Sequence, residues 1–167
     1  MQGSLFPQTS SSGAIFSDCH AFRYLLWRIW KPEGPIVLFI GLNPSTANET
    51  ENDPTIRRCV DFATRWGYGG MYMANLFAFR TPHPKLLRKA EDPIGAENDF
   101  NIKAYTARAQ LTILMWGNHG LWLDRWKIVL PLVSNPYCLT VTKLGQPGHP
   151  LYLNRNCKPI PYRPPQV

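Results

Sequence analysis

Several common signatures are missing from this chain of 167 residues. It has no Cys-x-x-Cys pair. Its four cysteines stand apart at 19, 59, 138 and 157, whereas a structural zinc or iron–sulfur site brings at least one close ligand pair. Free thiols in a reducing cytoplasm are the expectation, with no metal and no disulfide framework. Neither Gly-x-Gly-x-x-Gly nor a Walker-type Gly-Lys-Ser/Thr is present, which disfavours nucleotide cofactors. No apolar run reaches the length of about 18 residues that suggests a membrane span. Acidic residues are few, 11 Asp and Glu against 18 Lys and Arg, giving a net charge of +7. A solubilising surface is the ordinary reading of such an excess, and a footprint for a polyanion such as nucleic acid is the sharper one. With no block of like charge, any basic patch has to be assembled by the fold.

What is present reads as one globular domain, with 44% hydrophobic and 17% charged residues. Residues 1–13, "MQGSLFPQTSSSG", lack the charged start and apolar block of a secretory signal and read as a flexible polar lead-in. Residues 14–155 form the domain. Residues 156–167 are a proline-rich tail, expected to lie extended on the surface.

Within the domain, "AIFSDCHAFRYLLWRIW" (Ala14–Trp30) suits extended structure at a sheet edge, and "KPEGP" is a turn. "IVLFI" (Ile36–Ile40) is a continuous apolar run, as in a strand buried on both faces of a parallel sheet. Asp53-Pro54 supplies an N-cap and a proline at the first helical position. Ile56, Cys59, Val60, Ala63 and Trp66 then recur at helical spacing until Gly67. The strands "MYMANL" (71–76), "LTILMW" (111–116) and "CLTV" (138–141) follow, separated by helical stretches near 96–108 and 121–130. This alternation predicts an α/β fold, a single three-layer domain with a central four-stranded parallel sheet flanked by helices.

Chemistry in such sheets gathers beyond the carboxyl ends of the strands. The residues there are Asn43 after the first strand, Asn75 closing the second, Gly117-Asn118-His119 after the third and "KLGQPGHPLYL" after the fourth. "FIGLNPS" resembles the Gly-x-Asp/Asn-Pro motif of the uracil-DNA glycosylase superfamily. "LMWGNHG" resembles that superfamily's later strand ending in Trp-Gly, and "GHPLYL" its His-Pro loop. The matching order spans residues 36–153. The chain also resembles a bacterial and phage family of unknown function whose hallmarks include "LNPSTA", "DPTIRRC", "RWGYGG", "NLFAFR" and "HPLYL".

The glycosylase resemblance implies a uracil-DNA-glycosylase-like fold and a DNA N-glycosylase that needs no metal or cofactor. It would act as a monomer on a base flipped out of DNA. Hydrolysis of an N-glycosidic bond builds positive charge on the sugar and negative charge on the base, so it needs a polar group to place water and a donor for the base. By resemblance Asn43 takes the first task and His149 the second, as a neutral imidazole. Gly41, Leu42, Pro44 and Ser45 shape the base pocket, and Asn75 reads the base edge through its amide. Otherwise Asn75 is a buried residue pinning a loop. Phe77 is either a stacking partner for the base or plain core. Asp53 is either only the helix cap or the carboxylate that activates water.

Arg57, Arg58, Arg80, Lys143 and Gln146 are expected to face DNA, with Leu151 and Tyr152 as the wedge that fills the stack. Uracil-specific enzymes carry a tyrosine directly after the motif proline, where its ring excludes 5-substituents. Ser45, Thr46 and Ala47 are small, so a bulky 5-substituted pyrimidine is expected, such as the hydroxymethylated or glucosylated cytosine of phage DNA, with a defence role. The alternatives are a uracil or damaged-base repair glycosylase, a hydrolase of free nucleosides or nucleotides, and a non-catalytic binder of modified DNA.

Overall fold

The computed structural model describes residues 11–166. The lead-in before Ser11 lies outside the described residues. The strands, in chain order, are β1 (Ser11–Phe16), β2 (Arg23–Ile29), β3 (Ile36–Gly41), β4 (Gly70–Asn75), β5 (Leu111–Leu114), β6 (Pro136–Cys138) and β7 (Ile160–Pro161). They form one seven-stranded sheet in the order β1-β2-β4-β3-β5-β6-β7. β4, β3, β5 and β6 run parallel, while β2 joins β4, and β7 joins β6, antiparallel.

The expected four-stranded parallel sheet is therefore the centre of a larger mixed sheet. Its extra strands come from stretches whose pairing the sequence does not announce. Ala14–Trp30 is a two-stranded hairpin, and only its β1 lies at the edge. The bound drawn at 13/14 falls inside β1, which starts at Ser11, and the segment after 155 contributes β7 and Tyr162, which is 4% exposed.

Strand alternation builds two core layers. Val37 and Phe39 of β3, with Met71 and Met73 of β4, pack toward helix α1 (Pro54–Arg65) and its Ile56, Cys59, Phe62 and Ala63. Leu38 and Ile40, with Tyr72 and Ala74, pack on the other face against Ile102 of α3 (Asn98–Arg108) and Trp126 and Val129 of α4 (Arg125–Val129). Complete burial of Phe39 and Phe62 stabilises the fold by roughly 1.5–3 kcal/mol each.

α1 begins as its sequence dictates. Asp53 caps it by accepting Ile56 N–H at 2.9 Å, and Pro54 opens it; such a cap contributes about 1 kcal/mol. The helix closes on Trp66, followed by Gly67 with φ of +83°. A short helix, α2 (Pro84–Lys89), lies in the proline-broken stretch after β4.

The helix expected over 121–130 is broken. Residues 118–124 form 3₁₀ turns, and Leu123 and Asp124 take left-handed backbone with φ of 57° and 51° before α4 begins. The break re-aims the chain so that Arg125, 2% exposed, donates Nε–H to the Leu76 carbonyl at 2.7 Å and pairs with Asp99. The strand expected over 138–141 lies earlier, at Pro136–Cys138. Val141 leaves the sheet to form a bridge with Pro147.

Candidate functional site

Beyond the carboxyl ends of β3, β4 and β5, on the α1 side, lies a cavity of about 220 Å³. Gly41, Leu42, Asn43 and Ser45 line it from the β3 loop, Asn75 from β4, and Asp53, Thr55 and Ile56 from the start of α1. His149 joins them from the loop after β6, with Arg23 from β2. Seven residues singled out in the sequence, from four separate segments, thus share one wall: Gly41, Leu42, Asn43, Ser45, Asp53, Asn75 and His149. Gly41 is required by close approach, since a Cβ there would come to 3.0 Å from Asn75 Nδ2 and 3.3 Å from Met115 Cε.

Asn43 is fastened by one end of its amide. Nδ2 donates to the carbonyls of Pro44 (3.1 Å), Phe79 (3.3 Å) and Thr81 (2.9 Å). Three acceptors fix the orientation of the amide and leave Oδ1 as its acceptor end. Thr81 N–H donates in turn to the carbonyl of the buried Pro44 at 2.9 Å, so the β3 loop and the segment after β4 hold each other. Asp53 uses Oδ1 for the cap, which keeps Oδ2 for another partner. The cap role and a place in the cavity wall are thus compatible.

Asn75 is 4% exposed and its Oδ1 has no hydrogen-bond partner among the described residues. Its backbone is pinned by another residue, Asn98, whose Nδ2 donates to the Asn75 carbonyl at 2.9 Å and the Leu76 carbonyl at 3.0 Å. An unpartnered acceptor in a cavity wall is costly unless a ligand or water satisfies it.

His149 stands exposed at the rim. Its Nδ1 accepts Leu151 N–H at 3.2 Å, which assigns the ring proton to Nε2 and makes that edge a donor. Although the residue is exposed overall, desolvation of the ring against the rim lowers the imidazole pKa below its ordinary value, against the opposing pull of Asp53. The ring is accordingly neutral at pH 7.

Other expected residues lie elsewhere. Phe77 is fully buried in the opposite core layer, 4.9 Å from Trp122, and does not line the cavity. Gln146 is fully buried, with Oε1 accepting Trp116 Nε1–H at 2.9 Å, so it faces the interior and not DNA. Arg58 turns onto the His-Pro loop, donating to the Leu153 carbonyl and, at 3.4 Å, to the Pro150 carbonyl. Arg80 lies 4.4 Å over the Phe16 ring and donates to the His20 carbonyl at 3.1 Å. Arg57 and Lys143 are exposed, Leu151 is half-buried and Tyr152 is 94% exposed, projecting two residues after Pro150.

The residue that sequence reasoning missed is Arg23, 2% exposed and in the cavity wall. Its Nη1 donates to the Ala47 carbonyl at 3.1 Å, and its Nε has no partner among the described residues. Burial lowers its pKa to about 10, opposed by Asp53, so it is charged at neutral pH. The available signal was an arginine at each end of the apolar stretch "RYLLWR". Five positions apart, Arg23 and Arg28 would face opposite sides of a regular strand. The register shifts here, with Ile15 opposite Leu25 and Phe16 opposite Arg23. The extra residue, Tyr24, reverses the alternation and turns both arginines toward the β3 loop. There Arg28 donates to Asn52 Oδ1 (2.8 Å) and to the carbonyls of Asn48 (2.6 Å), Glu49 (3.1 Å) and Glu51 (3.2 Å).

The site is therefore that of an α/β protein with a polar cavity at the carboxyl ends of its parallel strands. The chain belongs to the family described as protein of unknown function (DUF1643), which matches residues 23–151. That span contains every residue of the cavity wall. No curated protein and no solved structure matches the chain. Among the described residues no helix is long and apolar enough to cross a membrane, and no group of three or more His, Cys, Asp and Glu is placed to hold a metal ion.

Proposed function

We propose that the protein is a DNA glycosylase of the uracil-DNA-glycosylase type that releases a modified pyrimidine and leaves an abasic site. The observation that carries this reading is the meeting of Asn43, Asp53, Asn75 and His149 around one cavity, with His149 presenting Nε2–H. The volume of about 220 Å³ is below the ~300–1,000 Å³ typical of drug-sized ligand sites. It suits one base, with Ser45 leaving the motif side open to a 5-substituent.

In this reading the flipped base enters the cavity and offers an N–H to Asn75 Oδ1. Asn43 Oδ1 orients a water beside C1′. As the C1′–N1 bond breaks, its electron pair stays on the base, and His149 Nε2–H donates to a base oxygen. The water oxygen bonds to C1′ and its proton passes to Asp53 Oδ2. The exposed Tyr152, two residues after Pro150, would fill the space the base vacates in this reading.

A second reading is favoured by the inward turn of Arg58 and Gln146, which thins the expected DNA-facing rim. It is an N-glycoside hydrolase acting on free nucleosides or nucleotides. Base release is measured from matched duplexes carrying uracil, thymine or glucosylated hydroxymethylcytosine, with alkali revealing the abasic sites, beside the corresponding nucleosides. Release from the bulky duplex, reduced in Ser45→Tyr, supports the first reading. Release from nucleosides alone supports the second. Preference for uracil refutes the open 5-position.

A further inference from the structure

Two residues of the cavity wall carry a buried side-chain atom with no hydrogen-bond partner among the described residues: Arg23 at its Nε donor and Asn75 at its Oδ1 acceptor. Arg23 belongs to none of the salt bridges among the described residues. Among the described residues, one acceptor, the Ala47 carbonyl, serves its guanidinium, and the buried Nε has no partner. Taking a guanidinium out of water is costly unless a partner compensates it. The protein itself supplies little compensation: the charged groups acting on Arg23 are Asp53, which is not within ion-pair distance, and the like-charged Arg28 and Arg80. Arg28 is occupied by loop carbonyls and Arg80 by Phe16 and His20. His149 is neutral at the rim. Among the described residues, the cavity wall thus holds a buried cation with one protein hydrogen bond, and an Asn75 oxygen without a donor.

We infer that Arg23 is an anion receptor for the departing base, so that the ligand the cavity holds most tightly is a pyrimidine anion that keeps an N–H for Asn75. This rests on the glycosylase reading for its role in catalysis. When the C1′–N1 bond breaks, the bonding pair remains on the ring and spreads to its oxygens. Arg23 meets that charge with charge-assisted N–H donors, and the donation is stronger to the anion than to the neutral base of the bound substrate. A later proton from solvent neutralises the base, and the weaker contact lets it go. His149 and Arg23 would then share the leaving group, one at the rim and one in the wall.

The probe is free 5-nitrouracil, a pyrimidine acidic enough to ionise near neutral pH and coloured differently in its two forms. At a fixed pH where free ligand is half ionised, binding to the full-length protein should shift its spectrum toward the anion. Neutral uracil should bind more weakly. Arg23→Gln should abolish the spectral shift and weaken anion binding by about tenfold or more, the scale of one charge-assisted hydrogen bond, while Arg23→Lys should keep part of it. Melting curves identify a variant that fails to fold, and the wild-type spectrum decides alone in that case. Binding of the neutral form by wild type, or an unchanged shift in folded Arg23→Gln, overturns the inference. If no duplex or nucleoside releases its base, the glycosylase reading fails while an Arg23-dependent shift still establishes the receptor. If Arg23→Gln releases base at the wild-type rate, the receptor role in catalysis fails and the glycosylase reading stands.

Discussion

Replacing Asn43 by Asp changes one NH₂ to an oxygen, and in a segment that resembles the Gly-x-Asp/Asn-Pro motif, which accepts either residue, it looks harmless or even helpful. The structure predicts the opposite. Nδ2 donates to the carbonyls of Pro44, Phe79 and Thr81 at 2.9–3.3 Å, so an ionised carboxylate would place a negative oxygen against three acceptors. Loss of these bonds, at about 0.5–1.5 kcal/mol each, together with an unpaired oxygen at about 1–3 kcal/mol, amounts to roughly 2.5–7.5 kcal/mol. For a chain of this size that is a fall in Tm of roughly 5–30 °C.

The carboxylate can escape by taking a proton and donating to one carbonyl, which raises its pKa above the ordinary ~3.9. A raised pKa in an acid means that the folded state binds more protons than the unfolded state between the two values. Relative to wild type, the variant therefore loses stability as pH rises from about 4 toward 7. Urea melts of both proteins at pH 5 and pH 8 test the sign, and base release is measured beside them. Equal stability at pH 8, or a rate above wild type, refutes the clamp and its role in aiming Oδ1.

Further outcomes are expected at three other positions. Gln146→Leu leaves Trp116 Nε1–H unpartnered in the core, and should cost about 1–3 kcal/mol in urea melts with no change in the salt dependence of DNA binding. His149→Ala should lower base release by orders of magnitude with binding retained. In wild type, because the His149 pKa lies below its ordinary value, activity should persist through neutral pH and fall only on the acid side of about 6.5. The same depressed value makes this group's stability contribution constant above about 6.5 and lost progressively as pH falls below it; a pH–rate profile that falls above 7 instead contradicts the assignment. Tyr152→Ala, at a site 94% exposed, should change stability by less than about 0.5 kcal/mol while slowing release from duplex more than from single strands. Equal slowing on both denies it a wedge role.

The parallel centre of the fold is legible in the sequence at β3, β4 and β5, each an apolar run ended by a glycine or a polar residue, and less so at β6, whose Pro136-Tyr137-Cys138 carries no such run. α1 is legible because cap, proline and periodicity agree. The hairpin pairing is not, since the strand order places β4 between β2 and β3, and pairing at such separation leaves no local pattern. The broken helix at 118–132 also escapes a periodicity argument, because Leu123 and Asp124 adopt a backbone that no helical pattern encodes. At the site, Asn43 just past β3 and Asn75 closing β4 can be found by position, while His149, well beyond β6, is found only through the resemblance of its His-Pro loop. Arg23 is found by neither route, because a bulge decides which way it faces. Gln146 and Arg58 fail as surface residues for a shared reason. Polar side chains beside a functional loop are as readily used to hold that loop as to meet a partner, and sequence distinguishes the two poorly.

The far end of the chain reaches the loop that carries His149 by a route its composition hides. β7 covers the open edge of β6, and the Tyr162 that follows donates its hydroxyl proton to the Gly145 carbonyl at 2.8 Å. A side chain at Gly145 would meet Pro165 at 3.0 Å, and four residues later comes His149. "KPIPYRPP" is thus a strap drawn across the root of the histidine loop. Trimming the chain before Ile160, or fusing a rigid tag there, would slacken the hinge on which His149 hangs while leaving every cavity residue in place. A shortened protein that folds but releases no base would then report a loosened loop, and should not be taken as evidence against the chemistry of the site.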